Sequence, residues 1–338
     1  MSRKLKDLSI KNVLVVYKKP RLEMLREKKD DPVTVAYLSD PDNLRQLLLS
    51  SHEQNRMIDV VRSGLESSGF STTVVYRGDL NSKLICDSDC VFSLGGDGTV
   101  LEVNAYNKNT PVVGVNTDKR MVELNQFDGS EGFYCAMSQL DFDAVFSKFL
   151  EGDLDIVDLM RLEVEVDGKL VMNPRNGLVH RVLNDISITG RSGHSTADYS
   201  VILPGYCEQH RSSGVIISTP QSSWSYWEMG GVDLEEVLSV EDCAFNVVAR
   251  GLGPRQSHVG IKTRRFIVRD AEYVEVKSKN PRTSLAIDGD HPDTVHELGL
   301  DRQIKVYRSA HPLPVVGFDT QKIYWYASKA NQPVTREF

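Results

Sequence analysis

A change of rhythm near residue 153 divides the sequence into two halves with different packing needs. Before it, apolar β-branched runs of strand length alternate with stretches of helical periodicity. Residues 12–17 (NVLVVY), 71–77, 89–94 and 111–115 read as strands, the first of them suited to burial. Between 43 and 68, Leu44, Leu47, Leu48, Met57, Ile58, Val61 and Leu65 recur at helical spacing, with Asp42 as a cap and Gly69 as a stop. Residues 100–107 and 140–152 read as two more helices, and 18–42, polar and holding three prolines, as a long loop. This order predicts a parallel sheet covered by helices.

After residue 153 the runs are short and separated by turn residues. RLEVEVDGKLVM (161–172) alternates around Asp167-Gly168, a hairpin pattern, and eight further short strand-like runs follow. At 338 residues the chain is longer than one core needs. The expected fold is an α/β N-terminal domain with a parallel sheet (1–152) and a β-rich, two-layer sandwich-like domain (153–310). A tail at 311–338 would pack back on the first domain.

Charge narrows the partners. A formal net charge of −7 gives no overall basic field for nucleic acid, although backbone amides can still build a local anion pocket. No apolar run approaches the roughly 20 residues that cross a bilayer. Five scattered cysteines, without a C-x-x-C pair, read as reduced thiols. The basic start reads as a first strand rather than a leader, so the expected location is cytoplasmic.

Chemistry concentrates in SLGGDGTV, residues 93–100. Gly95, Gly96 and Gly98 follow a strand and precede a helix. Glycine lets backbone approach a ligand, amides at a helix start attract anions, and strand-end loops are where open α/β sheets bind ligands. Asp97 is the odd residue. A carboxylate beside a phosphate is repelled unless a cation or a proton transfer is involved, which points to Mg²⁺ or to a base for a hydroxyl. Thr99 either donates its hydroxyl to a phosphate or caps the helix. On the glycines alone, a plain tight turn explains the stretch equally well. It is neither a Walker loop nor a G-x-G-x-x-G fingerprint.

Four ordered blocks change that balance. GGDGT (95–99) with PVVGVN (111–116), LNDISI (183–188), SSGVIISTP (212–220) and AIDGD (286–290) together resemble the NAD kinase superfamily. GVNTD, SEG and RSSG are most similar to its mitochondrial-type branch. The resemblance spans roughly 12–310 and implies transfer of the ATP γ-phosphate, with Mg²⁺, to the adenosine-ribose 2′-hydroxyl of NAD. It also implies a homodimer, a site between the two domains, and a mitochondrial matrix location as an alternative to the cytoplasm. Asp97 would orient or deprotonate the acceptor hydroxyl, and Gly95, Gly96, Gly98, Thr99 and Asn116 would hold nucleotide phosphate. Asn184, Asp185, Ser213, Thr219, Ser223, Trp224, Tyr226 and Asp288 would contact the dinucleotide. On residues alone, Asn184-Asp185 reads first as an Asx turn at a strand start.

The chain departs from the resembled pattern in two places. Asp185 stands where a Glu is usual, and after STP comes Gln221-Ser222-Ser223-Trp224-Ser225-Tyr226, with Ser222 in place of glycine and Trp224 in place of threonine. Trp224 stacks on a base, fills the adenine pocket, or packs as a core anchor at the break in the β half. Two other functions therefore stay open: a kinase of this type acting on a nucleoside, nucleotide or lipid diol, and a dinucleotide-binding protein with a decayed site. The insertion-like 118–130, with Lys119 and Arg120, reads as a long loop, either a lid or a solvated surface. DGDHPDTVH (288–296) has neither H-E-x-x-H nor EF-hand spacing, so no resident metal site is read there.

Overall fold

The computed structural model describes residues 3–28, 30–117, 119–123, 126–129, 131–190, 196–222, 234–251, 265–269, 272–289 and 294–330. The chain forms two compact units, Met1–Val157 with Leu313–Phe318, and Asp158–Pro312 with Asp319–Phe338.

The first unit is built on an eight-stranded sheet. Its centre is parallel: Ser71–Tyr76, Asn12–Tyr17, Cys90–Gly95 and Val112–Asn116 lie side by side in that order. These are the β-branched runs, and the last three are nearly all buried because helices cover the sheet. Leu313–Val316 returns from the far end of the chain to pair parallel with Val112–Asn116. Cys135–Ser138 pairs with the same strand. The long helix Pro41–Ser67 lays Met57, Val61 and Leu65 against Val13, Val15 and Phe92 in one apolar core. It is capped by Asp40, not Asp42: Asp40 Oδ1 accepts from the N–H groups of Asp42 and Asn43, both at 2.9 Å, and Pro41 takes the first turn.

Residues 18–42 are not a loop. They hold helices Arg21–Glu27 and Pro32–Ser39, the second capped by Asp31 with Pro32 in its first turn. The prolines that suggested a loop stand at helix starts, where a missing N–H costs nothing. Within 118–130, Lys119–Glu123 and Gln126–Gly129 pair as an antiparallel hairpin rather than a structureless loop.

The second unit is two antiparallel six-stranded sheets with one shared apolar core. One runs Lys169–Leu170, Leu162–Val166, Gln303–Arg308, Tyr273–Ser278, Ala197–Leu203, Tyr206–Ser212; the other runs Arg265–Arg269, Ala244–Arg250, Gly214–Ser218, Asp185–Gly190, Thr283–Ile287, Val295–Leu298. Alternating side chains such as Leu162, Val164, Val274 and Val276 face Ile186, Ile188, Val215 and Val247 across that core. The Asp167-Gly168 hairpin forms, with both residues at positive φ (51° and 76°), as a two-residue turn between right-twisted strands requires. The helix Gln321–Ala330 follows the returning strand. Among the described residues no helix is long and apolar enough to cross a membrane.

Candidate functional site

Two polar clusters hold the sequence-predicted residues, one in each unit. In the first unit, Cys90–Gly95 ends where the helix Asp97–Tyr106 begins, so Asp97 is the first residue of that helix and Gly96 its N-cap. No side chain caps this helix start. The carboxyl ends of the parallel strands meet here. Gly95 lies opposite Asn116 in the ladder, and the Thr117 N–H donates to Gly95 O at 2.9 Å. Asn116 is buried, with its amide against Gly132, where a Cβ would lie 2.6 Å from Asn116 Nδ2 and φ is +66°.

Asp97 is oriented by the loop before Cys135–Ser138: the Tyr134 N–H donates to Asp97 Oδ1 at 2.8 Å. That loop is anchored by rings. Phe133 packs on Phe318 at 5.5 Å and Tyr134 on Phe318 at 6.3 Å, so the end of the returning strand steadies the amide that holds the carboxylate. Gly95 has a steric reason, because a Cβ there would collide with Thr99 Oγ1. Gly98 has none, since nothing lies within 4 Å of a Cβ built on it. Thr99 Oγ1 is buried without a hydrogen-bond partner among the described residues, so it makes no capping bond. Lys18, at the end of the neighbouring strand, runs its side chain to 3.3 Å from the same Gly95 position. The only sequence signal for Lys18 is a basic residue directly after an apolar strand, too common to select it.

In the second unit the cluster forms at the start of Asp185–Gly190. Asp185 is paired across the ladder with Ser218, and Ser218 with Asn246. Asp288, at φ 51°, accepts from three backbone amides: Leu183 N–H on Oδ2 at 2.9 Å, and Asn184 and Asp185 N–H on Oδ1 at 2.6 and 3.3 Å. Thr219 Oγ1 donates to Leu183 O at 2.8 Å. Thr219 and Asp288, expected to face a ligand, thus direct polar atoms to the chain itself and shape the Asn184-Asp185 turn. Asp185 is 9% exposed, and its Oδ2 accepts from Ser222 Oγ at 3.1 Å. Loss of water around the carboxyls pushes Asp185 up to about 6 and Asp288 up to about 7. Ser213 is elsewhere: it precedes Gly214–Ser218, five residues from Ser218 and so roughly 16 Å away along an extended strand. Ser223, Trp224 and Tyr226 lie outside the described residues. Gln221, noted in the sequence only as part of the departing segment, has a structural role. Its Nε2 donates to Met160 O at 2.6 Å and Leu183 O at 2.9 Å, a bond between segments that no local pattern announces.

A glycine-flanked aspartate at the end of a parallel sheet and a buried acidic turn in a two-layer β unit are the two parts of the candidate site. No protein-family model matches the chain. A probable NADH kinase of Oryza sativa subsp. japonica is 24% identical over 293 residues, covering 82% of this chain and 86% of the relative. In fold, the chain is similar to yeast NADH kinase complexed with NADH, with a TM-score of 0.60 at 15% identity, covering 98% of this chain and 90% of that one. It is likewise similar to an NAD kinase from Archaeoglobus fulgidus in complex with ATP, with a TM-score of 0.59 at 16% identity, covering 95% and 98%. The chain is thus similar in sequence to NAD and NADH kinases and shares the fold of two solved ones.

Proposed function

We propose that this chain transfers the γ-phosphate of ATP to the adenosine-ribose 2′-hydroxyl of NAD, giving NADP. The observation that carries the reading is Asp97: one carboxylate at the first position of a helix, aimed by the Tyr134 amide, beside a glycine with open space over it. Phosphoryl transfer needs positioning, charge neutralisation and an oriented nucleophile more than covalent help from the protein. Asp97 orients the 2′-hydroxyl and takes its proton as the new P–O bond forms and the bond to the ADP leaving group breaks. The backbone of 95–99 and the buried Thr99 hydroxyl receive phosphate oxygens. Asn116 supports that loop. Asn184 and Asp185 accept from and donate to sugar and amide groups of the dinucleotide.

Among the described residues no group of three or more His, Cys, Asp or Glu could hold a metal ion. Mg²⁺ arriving on the ATP phosphates would therefore depend on those phosphates for binding, with the Asp97 carboxylate near enough to attract it while remaining free to act as the base. Bound with ATP, it would supply charge neutralisation on the transferring group. The resemblance supports a homodimer. The five free cysteines, three of them exposed, support a reducing compartment such as the cytoplasm.

The test is mass spectrometry of products from ATP and Mg²⁺ with NAD⁺, NADH and a panel of nucleosides; NADH is included because two of the relatives bear the name NADH kinase. A 2′-phosphorylated dinucleotide is expected. Phosphate on a nucleoside alone, or dinucleotide binding with no turnover, overturns the reading.

A further inference from the structure

Asp185 and Ser222, two of the positions at which this chain departs from the pattern it resembles, are partners. They are 37 residues apart in sequence, and Ser222 Oγ donates to Asp185 Oδ2 at 3.1 Å. Ser222 is fully buried, so this hydroxyl is not a surface rotor. Its turn is fastened at several points. The Ser222 N–H donates to Thr219 O at 3.1 Å, Thr219 Oγ1 reaches Leu183 O, and Gln221 Nε2 reaches both Met160 O and Leu183 O. On the other side Asp288 grips the amides of 183–185. Donor and acceptor are therefore both delivered by backbone that cannot easily drift.

We propose that Ser222 is a positioning residue that orients the Asp185 carboxylate toward the dinucleotide, so that the two act as one unit. A shorter acid reaches less far, and a fixed donor on one oxygen commits the other to a single direction. The proposal rests on Asp185 being a dinucleotide contact, as read above. Desolvation raises the Asp185 carboxyl toward neutrality, the Ser222 bond and the charge of Arg250 lower it, and Asp288 is the neighbouring like charge. Removing the hydroxyl should therefore move this titration upward.

Ser222→Ala, Asp185→Asn and the double variant of the full chain separate the outcomes. In Ser222→Ala the KM for NAD is expected to rise about five- to tenfold, more than kcat falls, the size of one ordinary net hydrogen bond lost indirectly through the carboxylate's orientation. The acid limb of its kcat/KM profile should move to higher pH. In the Asp185→Asn background the serine change should add nothing. Equal effects in both backgrounds, or an unmoved acid limb, overturn the proposal. Carbon NMR of the Asp185 carboxyl reads the pairing without turnover, and a midpoint unchanged by Ser222→Ala also overturns it. A wild-type chain whose Asp185 responds as expected but which never phosphorylates NAD sinks the kinase reading and leaves the pairing standing.

Discussion

Gly95 and Gly98 sit three residues apart and answer to opposite demands. A methyl on Gly95 meets Thr99 Oγ1, so Gly95→Ala should lose about 1–3 kcal/mol of stability by overpacking, read by urea unfolding. A methyl on Gly98 meets nothing, and Gly98 lies in a helix. Gly98→Ala should therefore gain about 0.5–1 kcal/mol while raising the KM for ATP, because the open space is where phosphate would pass. A more stable variant with unchanged ATP kinetics would mean that the space serves no ligand. Asp97→Asn is the companion test. Its amide oxygen still accepts the Tyr134 N–H, so the melting temperature should hold while kcat falls about 10²–10⁴-fold, the usual range for a lost general base. A variant that keeps its rate removes Asp97 from proton transfer.

At the scale of elements, the buried arginine Arg161 governs a connection. Its Nε donates to His311 O at 2.6 Å and its Nη2 to Pro312 O at 3.1 Å, and the Ser309 N–H returns a bond to Arg161 O at 2.8 Å. Segment 309–312 joins Gln303–Arg308 to the returning strand Leu313–Val316. Burial lowers the guanidinium to about 9, still charged at neutrality. Arg161→Met leaves two carbonyls without their donor and should cost about 2–4 kcal/mol in urea unfolding. A cost below about 0.5 kcal/mol would show the connection to be self-supporting. Elements like the central strands were legible because burial on both faces selects β-branched runs, and Asp167-Gly168 because positive φ selects Asp and Gly. Helices Arg21–Glu27 and Pro32–Ser39 were hidden because proline was read as a breaker, whereas Pro20 stands directly before the first helical residue and Pro32 directly after the capping Asp31. The site was legible only in part. The GGDGT loop is contiguous, so its chemistry shows in sequence. The grip of Asp288 on Leu183 spans 105 residues and exists only once the two strands pair.

For the whole molecule, the buried carboxyls and the buried histidine with large protonation shifts lie in the second unit. In the first, the large shift is at Cys90, whose buried thiol is pushed up to about 12 and stays protonated throughout. In the second, burial lowers His180 to about 4, while Asp185 and Asp288 rise to about 6 and 7. The signs oppose. A histidine that binds its proton less well when folded supplies stability above its unfolded value of 6.5, and loses it as pH falls from 6.5 to about 4. A carboxyl that binds its proton better when folded supplies stability at low pH, and loses it as pH rises from 3.8 through its folded value. Across pH 4 to 6.5 the two effects offset each other, which flattens the acid response of the chain. His180→Gln uncovers the carboxyl contribution. Any penalty of this substitution at pH 7.5 should shrink on acidification below 6.5, by at most about 1.4 kcal/mol per pH unit, as urea unfolding at pH 7.5, 5.5 and 4.5 would show. Hydrogen exchange should place the pH-dependent protection in 158–312. A penalty that stays constant across those three conditions would mean that His180 takes up its proton as readily folded as unfolded, and the offset would have to come from elsewhere.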